Sequence, residues 1–254
     1  MTIKPLGSYG WIPDLPDTRD RVFQLPRKAG PLPPSVDLRA QCPPVYDQGQ
    51  LGSCTANAIA AAIEFDQRKE QLAQIFTPSR LFVYYNERAM ENTVASDAGA
   101  QIRDGIKSVA AQGVCAETLW PYTEDQFATR PPAACYKVAK THPAVSYSRL
   151  TQDLGQLKGC LAAGYPFVFG FTVYESFESG AVAHSGVVPM PQDSETALGG
   201  HAVMAAGYDD ASQRFLVRNS WGSAWGLGGC FTIPYAYLTD DNLASDFWTI
   251  RVVR

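Results

Sequence analysis

The sequence predicts an α+β chain of two lobes, and three observations predict it. After residue 35 the chain carries alanine-rich and amphipathic stretches bounded by helix start and stop signals. Its second half changes to short β-branched and aromatic runs separated by Gly, Asp and Ser clusters, which are strand signals. Residues 1–35 follow neither period and are rich in proline. Helices first and strands later suit an α+β arrangement, with 36–140 as a mainly helical lobe, 141–254 as a mainly β lobe, and 1–35 set apart. With 254 residues, 46% of them hydrophobic and 18% charged, the chain is long enough to bury a sizeable core.

The N-terminal segment holds Pro5, Pro13, Pro16, Pro26, Pro31, Pro33 and Pro34, and reads as extended, partly polyproline chain. It also carries Trp11, Ile12, Leu15, Val22, Phe23 and Leu25, apolar anchors that a plain linker would not need. Ser53 stands where it can cap a helix through CTANAIAAAIEFDQRK, with Ile59 and Ile63 on its apolar face. Thr77 and Pro78 form a second start, a cap residue followed by proline at the first helical position, ahead of SRLFVYYNERA. A third helix is expected from Ile102 to Ala111, stopping near Gly113, and then an irregular stretch from Trp120 through Pro131 and Pro132. PFVFGFTV, HAVMAAGYD, RFLVRNSW, CFTIP and DFWTIRVV are the expected strands, with one short helix near Asp153–Leu161 before them.

Several function classes fall away on composition. A formal charge of -4 without a basic run argues against a nucleic-acid partner. No stretch approaches the roughly 18 apolar residues of a membrane span. MTIKPLGSYGWIPDLP has no apolar h-region, so no secretory leader is expected, and the compartment is left open. The six cysteines form no CxxC pair, which disfavours a zinc site; they read as reduced, mostly buried thiols. No metal or cofactor is implied, and a monomer is expected.

The chemistry starts at Cys54, in GQLGSC at the opening of the alanine-rich helix. A helix N-terminus favours the thiolate, the nucleophilic form. Gly49 and Gly52 let the chain turn tightly there. Taken alone, Cys54 reads more readily as a small buried core cysteine. Of the three histidines, His201 is preferred as base, because Asn219 ends the following strand and a strand pair can bring the two together. An amide oxygen can then hold one imidazole nitrogen and aim the other at the thiol, with Trp221 shielding the contact. Gln48, six residues before Cys54, and the backbone N–H of Cys54 are candidate oxyanion donors.

Gln48, Gly52-Ser53-Cys54, Gly200-His201-Ala202-Val203, Asn219-Ser220-Trp221-Gly222 and Trp225-Gly226, in that order and context, resemble the papain family of cysteine peptidases, in particular a bacterial branch. The resemblance covers about residue 35 to the end. It implies a helical lobe and a β-barrel lobe with Cys54 and His201 facing across a cleft, peptide or protein substrates, and hydrolysis through an acyl-enzyme. Leu51 stands where relatives have a cysteine, which agrees with a reduced chain. No His-His pair marks an exopeptidase loop, so an endopeptidase is expected. A thiol acyltransferase or deamidase, or a non-enzymatic peptide-binding relative, are the alternatives.

The resemblance also implies substrate contacts. Asn242-Leu243-Ala244-Ser245-Asp246 resembles the segment that reaches the floor of the pocket for the second residue before the scissile bond (P2), which implies an Asp246 carboxylate there and acceptance of Arg as well as Phe or Leu; the alternative is a surface Asp that caps a turn. Gly200 and Ala202 leave that pocket roomy, and Gly99 and Ala100 bind substrate backbone. Residues 1–35 then read as a pro-region or gate over the cleft, crossing it in the sense opposite to a substrate, with Arg27-Lys28 as a processing point. The alternative is a strap that packs on one lobe only.

Overall fold

The computed structural model describes residues 9–24, 30–142 and 145–252. Arg27-Lys28 and Leu25 lie outside them. The helical part comprises α1 (Cys54–Lys69), α2 (Arg80–Glu91), α3 (Ile102–Gln112) and α4 (Ala133–Ala139). The remaining elements are β1 (Ser35–Asp37), β2 (Val145–Arg149), α5 (Leu154–Ala162), β3 (Phe167–Tyr174), α6 (Gly180–Ser185), β4 (Ala197–Asp209), β5 (Arg214–Arg218), β6 (Cys230–Pro234), α7 (Tyr235–Thr239) and β7 (Ala244–Val252).

Helix α1 is buried from Cys54 to Gln67, not on one face alone. Its alanines have little volume, so α2, α3, β4 and β7 all pack against it. That central position is what carries Cys54 to the junction of helices and sheet. Ser53 precedes α1 but does not cap it; its hydroxyl pairs instead with Tyr122 Oη at 2.6 Å. Helix α2 starts two residues later than Thr77-Pro78 suggested. Pro78 bridges to Ala116 in extended form, and Ser79 Oγ accepts from the Phe82 N–H at 3.2 Å.

The strands form one seven-stranded antiparallel sheet in the order β2-β7-β3-β4-β5-β6, with β1 also paired to β4. Strands β1 and β2 are short and half-exposed, and neither is among the expected strands. The β1–β4 pairing ties residues 35–37, at the end of the proline-rich segment, to the sheet of the second half. Helix α4 occupies part of the stretch expected to be irregular, with Pro132 at its N-cap, where a missing N–H is tolerated. Phe167, Phe169, Phe171 and Phe177 build one core under the sheet; the α1 alanines, Ile59 and Ile63 build a second with Val168, Ala202 and Trp248. All six cysteines are free thiols. Among the described residues, no helix is long and apolar enough to cross a membrane.

Candidate active site

Cys54, His201, Asn219 and Gln48 meet where α1 abuts β4. Cys54 is the first residue of α1, and the Ala202 N–H on β4 donates to its sulfur at 3.4 Å. His201 is therefore the neighbour, along the strand, of the residue that holds the thiol. Antiparallel pairing of β4 with β5 sets Met204 opposite Arg218, which brings Asn219, one residue beyond β5, alongside His201. His201 Nε2 and Asn219 Oδ1 are 2.8 Å apart. An amide oxygen only accepts, so the imidazole carries its proton on Nε2 and turns Nδ1 toward other partners. The Ser220 N–H also donates to Asn219 Oδ1, at 2.9 Å, which fixes the amide's orientation. The Trp221 ring stacks on His201, with centroids 5.0 Å apart.

Gln48 is held from both ends. Its backbone N–H donates to Ser220 O at 2.9 Å, Ser220 Oγ donates to its Oε1 at 2.6 Å, and its Nε2 donates to Leu51 O at 2.9 Å. The amide nitrogen thus lies on the side of the loop that leads to Cys54. Three residues that sequence reasoning missed support this loop. Tyr122 Oη donates to Gln48 O at 2.8 Å, and Arg80 Nη1 donates to Asp47 O at 2.9 Å and to Asn57 Oδ1 at 3.0 Å. Asn57 Nδ2 in turn donates to Ser53 O at 2.9 Å. An arginine far along the chain carries no local signal for such a role; only its pairing with Glu117, at 2.7 Å, and its buried position give it away.

The N-terminal segment lies across these groups. Trp11 pairs in parallel with Ala100: the Ala100 N–H donates to Gly10 O at 2.7 Å, and the Ile12 N–H donates to Ala100 O at 3.0 Å. The Trp11 N–H donates to Gly200 O at 2.9 Å. Gly99 precedes this contact with φ 74°, a left-handed conformation suited to glycine. Gly10 passes so close to the nucleophile loop that a Cβ on it would fall 1.6 Å from Gly52 O. The backbone groups of Ala100 and Gly200 and the Asp246 carboxylate, all expected to meet substrate, are thus occupied by the chain's own residues. Trp11 Nε1 donates to Asp246 Oδ2 at 3.1 Å. Trp11 is buried and Phe23 packs half-buried against the core, whereas Ile12, Leu15 and Val22 are exposed.

Enclosure changes the thiol. Burial pushes Cys54 up to about 11; N–H groups of Ala202 and Gly10 pull the other way, Glu87 pushes up again, and the Thr55 N–H lowers it. The helix N-terminus predicts a depressed thiol, but removal from water outweighs it while the segment is docked.

A family model described as papain family cysteine protease matches residues 32–244. The chain belongs to the papain family of cysteine peptidases. It is a cysteine peptidase, and peptides or proteins are its substrates. The chain is 44% identical to an uncharacterized peptidase C1-like protein of Acanthamoeba polyphaga mimivirus, over 97% of this chain and 87% of that one. It is also 44% identical to xylellain, a cysteine protease from Xylella fastidiosa, whose crystal structure superposes with a TM-score of 0.92 over 100% of this chain and 99% of that one. A cathepsin B-like protein of Giardia intestinalis is 30% identical over 85% of this chain and 74% of its own length. The papain-family match begins at residue 32, so Gly10 and Trp11, which meet Gly52, Ala100, Gly200 and Asp246, lie outside it.

Proposed function

We propose that this papain-family chain is an endopeptidase that uses Cys54 as nucleophile, His201 as general base and acid, and Asn219 to orient the imidazole, and that residues 9–24 gate the cleft. The observation that carries the catalytic reading is the junction itself: a thiol at the start of α1, held at 3.4 Å by the neighbour of a histidine whose Nε2 is fixed at 2.8 Å by an amide. His201 Nδ1 takes the thiol proton. The sulfur then attacks the substrate carbonyl, and the oxyanion that forms accepts from the Cys54 N–H and Gln48 Nε2. His201 returns the proton to the leaving amine, the C–N bond breaks, and an acyl-enzyme remains. Water deprotonated by His201 releases the acid and restores the thiol.

The gate reading rests on the contacts of Gly10 and Trp11 with Cys54, Ala100, Gly200 and Asp246. A segment that packed on one lobe only would not need to bridge α3, β4 and β7. Labelling by an epoxide or vinyl sulfone tests the catalytic reading: Cys54 should be the modified residue, and Cys54→Ala should neither label nor turn over peptide. Hydrolysis that persists in Cys54→Ala would overturn it.

A further inference from the structure

Asp246 is not a lone acid at the end of an apolar pocket. It sits at the start of β7 with φ 59°, and Arg149, on β2, donates from Nη2 to its Oδ1 at 2.8 Å. Its other oxygen accepts from Trp11 Nε1 at 3.1 Å and from the Asp14 N–H at 2.7 Å. The Trp11 ring fills the pocket above it: a Cβ on Gly170 would fall 1.9 Å from the indole, and Trp11 shares its cluster with Val168, Ala202 and Trp248.

The charges around this pocket divide unevenly between segment and body. Asp14 and Asp20 come from the segment. Asp14 accepts from the Arg103 N–H at 3.0 Å and from Trp248 Nε1 at 2.8 Å, and Asp20 pairs with Arg103 at 2.7 Å. Both also stand 3.5 Å from Arg149 Nη1. When the segment leaves, those two carboxylates leave with it. The body keeps two guanidinium groups and one carboxylate, already paired. Glu91, whose field reaches Asp14, is turned to the Gln101 N–H at 2.8 Å.

We infer that Arg149 sets specificity through Asp246: by neutralising that carboxylate it makes the pocket select an aromatic P2 side chain with a hydrogen-bond donor, such as Trp, over a cation. The inference rests on the proposed peptidase reading. An arginine at P2 would have to leave water and stand beside Arg149, facing a carboxylate whose charge Arg149 already balances; burying a cation without an uncommitted counter-charge is unfavourable. An indole brings a large apolar area and one neutral N–H, which Asp246 Oδ2 can accept. The segment's own Trp11 has this chemistry.

The test uses the full chain, wild type and Arg149→Met, on fluorogenic dipeptides with Arg at P1 and Trp, Phe or Arg at P2. The ratio of kcat/KM for Trp to that for Arg cancels the fraction of molecules with the cleft open, so loosening of the segment does not move it. Wild type should favour Trp at least about tenfold, and Arg149→Met should cut that ratio by about tenfold or reverse it. Arg149→Gln, which keeps a neutral donor on Asp246, should behave like Arg149→Met and serves if the methionine variant fails to fold. A second arm needs no turnover: Trp11→Arg should speed alkylation of Cys54 in the wild-type background about tenfold, and much less beside Arg149→Met. A preference for Arg in wild type, an unchanged ratio, or no effect of Trp11→Arg overturns the inference. Turnover that vanishes in Cys54→Ala while the ratio stays fixed would leave the peptidase reading standing and remove only the role of Arg149.

Discussion

Trp11→Ala separates a gate from a strap. Trp11 is 8% exposed, and an indole buries about 200 Å². At about 25 cal/mol per Å² its docking contributes about 5 kcal/mol gross, before the methyl that alanine keeps and local relaxation are subtracted. The hydrogen bond to Asp246 adds about 1.5 kcal/mol or more, because the acceptor is ionised. A net loss near 3 kcal/mol is a conservative figure for a large-to-small change at such a site. Every 1.4 kcal/mol is a factor of ten, so the closed-to-open ratio should fall about 100-fold. Substrate competes with the segment, so kcat/KM should rise by up to that factor, capped once the cleft is fully open, mostly through a lower KM. The assay is initial-rate hydrolysis of a short fluorogenic peptide, with circular dichroism and thermal melting as folding controls. A folded Trp11→Ala protein with unchanged kcat/KM and an unchanged rate of Cys54 alkylation would refute the gate.

Cys54→Ala or His201→Ala should abolish turnover and leave the melting profile near wild type, whereas Asn219→Ala should retain measurable activity, since Asn219 orients and does not react. Gln48→Ala should lower kcat about 100- to 1000-fold, as expected for loss of one oxyanion donor; an unchanged kcat would remove Gln48 from that role. In the full chain, Cys54 alkylation should keep accelerating well above pH 8, because burial pushes the docked thiol up to about 11, and the inflection should move down in Trp11→Ala. Asp14 is raised from 3.8 to about 6 by burial, with Asp246 adding to it and hydrogen bonds from Arg103 and Trp248 opposing it. The docked segment therefore holds that proton more tightly than the free one. Docking is strongest below about pH 4 and weakens as pH rises through about 6. The alkylation rate of wild type relative to Asp14→Asn should climb over that window and level off above it; a flat ratio would show that Asp14 does not titrate on opening.

Much of the helical part was legible because its signals are local. The alanine run of α1, the Gly113 stop of α3 and the Asp153 cap of α5 depend on residues a turn or less apart. The major strands were legible for the same reason. Short polar strands were not: SVD and VSYSR owe their conformation to partners on β4 and β7, far along the chain. Ser79, not Thr77, became the α2 cap because Pro78 is drawn into a bridge with Ala116, a contact local propensity does not encode.

The sequence by itself, through its resemblance to the papain family, singled out Cys54, His201, Asn219 and Gln48 as the candidates for thiol chemistry. It also marked the proline-rich segment as separate. Only the tertiary structure decided the state of those groups. The helix start argued for a depressed thiol, yet burial raises it, because desolvation depends on everything packed around the sulfur. Asp246 looked like an acid waiting for a cation, yet Arg149, 97 residues away in sequence, already holds it. A charge's neighbours are set by strand order, and the order that places β2 beside β7 is a property of the folded sheet, not of any stretch of chain.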